Sequence, residues 1–287
     1  MISADNIFIE GRRTSLCDVP EMVRGSQPTD NGNLILTKEE KNELLKAEPQ
    51  AEKFIRPFMM GKDFIQRKPR YCLWLVGANP ADLKKCRQVM ERVEQVRVFR
   101  LASKKEATRR KAETPTLFDE IKEYKTKYIA LPVVSSENRR YIPMEYLSPE
   151  IIARNKLFMV ADANLYLFGL LTSNVHMAWT RTVCGRLKSD YSYSNTVVYN
   201  NFPFPEPTPE QRQRIERTAQ AILNARNKYP DCSLADLYDE LTMPPELRKA
   251  HQANDFAVMT AYGFNIKMTE SECVAELMKL SETYREQ

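Results

Sequence analysis

Glycine is scarce: the chain holds eight in 287 residues. Neither G-x-G-x-x-G nor G-x-x-x-x-G-K-[ST] occurs, which argues against a loop built to cradle nucleotide phosphates. Histidine is scarcer still, with His176 and His251 alone. The six cysteines (Cys17, Cys72, Cys86, Cys184, Cys232, Cys273) lie far apart, with no C-x-x-C pair. Without that spacing and with so few histidines a zinc site is not expected, and the thiols read as reduced, mostly core residues. No apolar run reaches the ~18–20 residues of a membrane span. The opening Met1-Ile2-Ser3-Ala4-Asp5 has neither a basic nor an apolar leader region, so the expected location is the cytoplasm.

What is present fits a globular protein with a sizeable core: 43% of residues are hydrophobic and 28% charged. The length allows one large or two ordinary domains. The net charge of +5 hides an asymmetry. Before Glu206 there are 33 basic and 24 acidic residues, net +9, and from Glu206 onward 10 and 14, net −4. A basic first part suggests a polyanionic partner there.

Local signals place elements along the chain. Asn6 to Glu10 alternates like a strand ending at Gly11, and Gly25-Ser26-Gln27-Pro28 and Asp30-Asn31-Gly32 mark turns. Thr37 with Glu40 forms a capping box before a helix. Arg70 to Val76 reads as a buried strand. Asn79-Pro80-Ala81-Asp82 brushes against the Asn-Pro-Pro-Tyr type motif of adenine methyltransferases, but it lacks the second proline and the aromatic. Asn79 as an N-cap with Pro80 in the first turn accounts for it. A basic helix is expected from Pro80 to Ala102. Its Lys84, Lys85, Arg87, Arg92, Arg97 and Arg100 would face phosphates, and a disordered loop would follow near Lys104–Lys111. Tyr128–Val134, Tyr141–Met144, Leu157–Val160 and Tyr191–Tyr199 read as strands, and Tyr166–Val183 as a helix. Pro203, Pro205, Pro207 and Pro209 make a stiff linker. Beyond it the pattern is helical, with caps at Thr208, Ser233 and Thr269.

Longer strings carry a family resemblance. They include Ala161 to Gly169, Ser173 to Trp179, Val183-Cys184-Gly185-Arg186-Leu187-Lys188-Ser189-Asp190-Tyr191, and Asn200-Asn201-Phe202-Pro203-Phe204-Pro205. Ile9-Glu10-Gly11-Arg12-Arg13, Ser135-Ser136-Glu137-Asn138-Arg139-Arg140-Tyr141 and Met243-Pro244-Pro245-Glu246-Leu247 belong with them. Together they resemble the target-recognition domain and C-terminal helical segment of MmeI-like restriction–modification enzymes. Those enzymes fuse nuclease, N6-adenine methyltransferase and recognition domains in one chain. The resemblance covers nearly the whole sequence. It implies an α/β (α+β) recognition domain with a mixed sheet over residues 1–205, followed by a small all-α domain over 206–287. It also implies a fragment of a longer parent. The parent would use S-adenosylmethionine and Mg2+ in upstream domains. This piece would hold neither, would bind double-stranded DNA, and would catalyse nothing alone. The alternative is a specificity or protein-interaction subunit acting with a separate methyltransferase chain.

Lys188 and Asp190 stand two apart, and in an extended segment such residues point to one side. An ammonium donor beside a carboxylate acceptor complements a G·C pair, which offers guanine O6 and N7 and cytosine N4. Composition alone favours an ordinary surface ion pair worth ~0–1 kcal/mol, but the resemblance reverses this by putting both residues in the family's base-reading stretch. It also implies Ser192, Asn155 and Lys156 as base-reading residues, Lys156 acting with Ser192 on another pair. Arg139, Arg140, Arg181, Arg186, Arg12 and Arg13 are the candidate phosphate contacts. His176, Trp179, Tyr193 and Tyr199 are expected in the core.

Overall fold

The computed structural model describes residues 9–286. The described strands begin with β1 (Met22–Arg24), β2 (Ile35–Leu36), β3 (Ile55–Met59), β4 (Arg70–Leu73), β5 (Tyr128–Pro132) and β6 (Val134–Ser135). They continue with β7 (Glu145–Leu147), β8 (Ile152–Ala153), β9 (Leu157–Ala161), β10 (Gly185–Leu187) and β11 (Asp190–Ser192). The helices begin with α1 (Lys38–Ala47), α2 (Gly61–Gln66), α3 (Pro80–Leu83), α4 (Arg87–Leu101) and α5 (Glu106–Arg110). They continue with α6 (Leu165–Leu171), α7 (Asn174–Val183), α8 (Pro209–Asn227), α9 (Leu234–Leu237), α10 (Pro245–Ala261) and α11 (Glu270–Glu286). The chain is therefore mixed α/β in its first part and helical from α8 onward. Residues 6–8 of the expected first strand lie outside the described residues, and Ile9 and Glu10 are irregular.

Two compact units emerge, each assembled from separated stretches of sequence. Of the described residues the first comprises 9–23, 128–146 and 160–286, and the second 24–127 and 147–159. The helices after Pro205 thus share a unit with α6, α7 and the β10–β11 hairpin.

The second unit is built on a mixed sheet in the order β2-β4-β3-β8. β4 pairs antiparallel with β2 and β3, while β3 pairs parallel with β8. Its core gathers Leu36, Phe58, Leu73, Trp74, Val89 and Val93. Phe118 meets Phe58 and Trp74 edge-on, at ring separations of 6.0 and 5.1 Å. Gly25 is required here, because a Cβ would lie 2.4 Å from the Ala153 carbonyl oxygen.

The expected helix over Pro80–Ala102 is two helices, α3 and α4, divided at Lys84–Cys86. The face of α4 that carries Val89, Val93 and Val96 continues to Arg100, which is fully buried. The Arg100 guanidinium donates to five carbonyls: Pro28, Thr29, Lys111, Thr114 and Leu117, at 2.7–3.0 Å. Most of the other cations of this stretch have internal partners as well. Arg87 pairs with Glu91, Arg92 with Glu40, Arg97 with Glu94 and Lys85 with Asp82. Burial thus removes Arg100 from the expected phosphate-facing stripe, while Lys85, Arg87, Arg92 and Arg97 carry ion pairs on the helix surface. Residues 106–110, expected as disordered, form α5.

In the first unit α8 packs on α6 and α10. Gly169 of α6 lets α8 come close, since a Cβ there would meet Ile215 Cγ2 at 2.6 Å. Asn254 of α10 donates to the Gly169 carbonyl at 2.8 Å and accepts from Thr218 at 3.0 Å. The helix expected over Tyr166–Val183 breaks at Thr172-Ser173, where Ser173 caps α7 by accepting from the His176 N–H. The strand expected over Tyr191–Tyr199 ends at Ser192, and residues Asn195–Tyr199 wind into a π-helical turn. The strand expected over Tyr141–Met144 lies later, at β7. Among the described residues no helix is long and apolar enough to cross a membrane.

Candidate nucleic-acid interface

The β10–β11 hairpin positions the central candidates. Its register pairs Gly185 with Ser192, Arg186 with Tyr191 and Leu187 with Asp190. β11 is held from behind by β6, Tyr191 opposite Ser135 and Ser192 opposite Val134. Directly opposed residues of an antiparallel ladder share a face. Gly185, Leu187, Asp190 and Ser192 therefore occupy one face, and Arg186 and Tyr191 the other.

This geometry corrects the strand argument for Lys188. Lys188 and Ser189 are the two residues of the connecting loop, and Lys188 has φ +57°. Its position relative to Asp190 is set by the tight turn, not by alternation along a strand. Lys188 is exposed and makes no hydrogen bond or ion pair among the described residues. Asp190 is half-buried, and its Oδ1 accepts the Glu137 backbone N–H at 3.3 Å. One carboxylate oxygen is thus steadied by the 135–140 loop.

Arg186 lies across the opposite face, its guanidinium 4.1 Å from the Tyr191 ring centroid, and donates to the Ser189 carbonyl at 3.1 Å. It braces the hairpin while staying exposed. Asn155 and Lys156 belong to the second unit. They are the central residues of a β-turn closed by Leu157 N–H donating to the Arg154 carbonyl at 2.8 Å. Lys156 is exposed, and the Asn155 side-chain amide donates to Gln27 Oε1 at 2.6 Å. Arg12 is half-buried, on a segment anchored by its N–H to the Thr196 carbonyl at 2.9 Å, while Arg13 is exposed.

Three further arginines converge. A cleft of about 520 Å³ in the first unit is lined by Arg139, Arg140, Arg181, Asn174, Glu240 and Glu270, among others. Arg181 donates to Glu270 Oε2 at 2.9 Å and to the Arg140 carbonyl at 3.1 Å. Partial burial pulls the Arg139 guanidinium below its ordinary pKa, against the pull of Asp190 and Asp239. Both the steadying amide of Glu137 and the Glu270 carboxylate escape a sequence reading, since tertiary contacts alone place them beside Asp190 and Arg181.

His176 and Trp179 are fully buried. His176 Nε2 is hydrogen-bonded to the Tyr193 hydroxyl at 3.0 Å, and burial pushes its pKa down to about 3. Trp179 Nε1 donates to the Val198 carbonyl at 3.0 Å. Tyr193 and Tyr199 are buried too. No group of three His, Cys, Asp or Glu side chains among the described residues is arranged to hold a metal.

Comparison with known proteins places this geometry. The MmeI target recognition domain profile matches residues 3–206, and the MmeI C-terminal domain profile matches residues 207–287. The chain belongs to the MmeI family. The solved structure of the type IIL restriction-modification enzyme MmeI in complex with DNA superposes with a TM-score of 0.96 at 41% identity. That match covers 99% of this chain and 38% of the MmeI chain. DNA methyltransferase A of Bacillus subtilis (strain 168) is 35% identical over 280 residues, 98% of this chain and 32% of that protein. The chain thus spans about a third of the length of these relatives, and it corresponds to the MmeI recognition and C-terminal domains.

Proposed function

We propose that this chain is the DNA-reading portion of a longer restriction enzyme and adenine-N6 methyltransferase of the MmeI type, acting in the cytoplasm. The observation that carries the reading is the β10–β11 hairpin tip. It carries the exposed Lys188 at its turn and, two residues on, the Asp190 carboxylate, one oxygen of which accepts the Glu137 amide while the other is left unengaged by it. A guanine edge takes the ammonium through O6 and N7, and the cytosine N4 donor takes the carboxylate. Ser192, on the same face, and Asn155 and Lys156, on their own turn, read further bases. Arg139, Arg140, Arg181, Arg186, Arg12 and Arg13 bind phosphates and set the register.

The remaining two thirds of the parent supply the chemistry. S-adenosylmethionine and Mg2+ belong there, and this chain by itself binds DNA without catalysis. The reading is tested by the affinity of the chain for duplex DNA as a function of salt. With about six phosphate contacts, binding weakens roughly 10³-fold between 50 and 200 mM salt. Absent or salt-independent binding overturns the proposal in favour of a protein-interaction module.

A further inference from the structure

Arg181 does not stand open at the cleft. Its guanidinium is bound to Glu270, the first residue of α11, and to the Arg140 carbonyl. The other cleft carboxylates are differently placed. Glu240 is taken by Arg248 at 2.7 Å, and Glu137 is exposed on its loop. Glu270 is not needed to cap α11, because Thr269 Oγ1 accepts the Glu272 N–H and Glu272 accepts the Thr269 N–H in return. Arg139 and Arg140 reach the same cleft, and the Arg139 side chain makes no hydrogen bond among the described residues. Three guanidiniums thus line one space, and among the described residues the carboxylate paired with them there, Glu270, comes from the C-terminal helical segment.

We infer that the cleft of Arg139, Arg140 and Arg181 is the seat of one DNA backbone phosphodiester, and that Glu270 is its built-in competitor. The Arg181–Glu270 pair is partly exposed, with side-chain accessibilities of 28% and 52%. Partly exposed pairs contribute little, so a phosphate held by two or three arginines displaces the carboxylate readily. Through Glu270 the C-terminal helices set how tightly the recognition region grips DNA. This inference rests on the DNA-binding reading and adds to it a contact that must be released.

The test is a double-mutant cycle on duplex binding by the full 287-residue chain at constant salt. Glu270→Gln tightens binding roughly two- to fivefold, the equivalent of an exposed pair no longer competing. Arg181→Gln weakens it. In the Arg181→Gln background the Glu270→Gln gain disappears, because the competition has lost its object. Glu276→Gln, on the same helix but paired with Lys279, changes affinity little and controls for added charge. An equal gain from Glu270→Gln with and without Arg181, or no gain at all, overturns the inference. Failure of the unsubstituted chain to bind DNA instead sinks the underlying reading, and that outcome is seen before any variant is made. Unchanged thermal unfolding of Glu270→Gln excludes loss of α11 as the cause.

Discussion

At Lys188 the backbone is left-handed, and two residues later Asp190 has entered a strand. A non-glycine residue pays conformational energy for that left-handed position, so a lysine there is held by the turn and not by its own preference. On the proposed reading its role lies in the ammonium it projects. Exchanging the two chemistries, Lys188→Glu with Asp190→Arg, converts a G·C preference into C·G, with discrimination of ~1–3 kcal/mol per base pair. Mapping methylated sites in a host that carries the full-length parent checks this, and an unchanged site refutes the assignment. The two residue types were legible in the sequence as a donor–acceptor pair. Their geometry was not, because Lys-Ser lacks the Asn-Gly or Asp-Gly signature of a two-residue hairpin.

Among the elements, helix starts were the most legible. Thr37, Asn79, Thr208, Ser233 and Thr269 all sit at the helix starts where the sequence puts them, because a cap is a bond between residues two or three apart. Elements held by distant partners were hidden. The turn at Asn195–Tyr199 alternates like a strand, yet it is tied to the start of the chain. Asn195 donates to the Met22 carbonyl, Asn200 to that of Arg12 and Asn201 to that of Glu10. Helix α4 shows the same contrast. Arg100 continues the face of Val89, Val93 and Val96, so helical periodicity marks it as buried, while residue type alone marks it as surface. Replacing Arg100 with Met orphans five carbonyls and costs more than about 3 kcal/mol in urea unfolding. Arg97→Met, which loses only an exposed ion pair, costs under ~1 kcal/mol. Equal losses for the two would refute the anchoring role of Arg100.

At the scale of the molecule, the first unit encloses a polar chain that no single segment reveals. Arg226 and His251 meet at the Tyr238 hydroxyl, and His251 stacks on Tyr141 at 4.1 Å. Tyr141 in turn donates to Asp255 Oδ2 at 2.6 Å, and Asp255 Oδ1 accepts the Asn174 N–H at 2.8 Å. Burial raises the Asp255 pKa to about 6, although the Tyr141 hydroxyl, the Asn174 amide and Arg140 all favour its ionised form. A carboxyl whose folded pKa lies above the unfolded value of about 3.9 stabilises the fold below that value, and the benefit fades as pH rises through about 6. Relative to Asp255→Asn, the unsubstituted chain should therefore lose about 2 kcal/mol of unfolding free energy between pH 4 and pH 7.5. A pH-independent difference between the two, measured by denaturant titration, would contradict it.

Both compact units are discontinuous: the chain leaves the first near residue 23, returns at 128, leaves again at 147 and returns at 160. Neither can be lifted out as one uninterrupted stretch of gene. A single recombination crossover cannot exchange one unit and leave the other untouched, because the first unit lies on both sides of the second, and any cut between residues 24 and 159 leaves both with mixed parentage. With bases read as proposed, new specificities are reached more readily by substituting Asn155, Lys156, Lys188 and Asp190, which leaves the ladders behind them intact, than by shuffling modules.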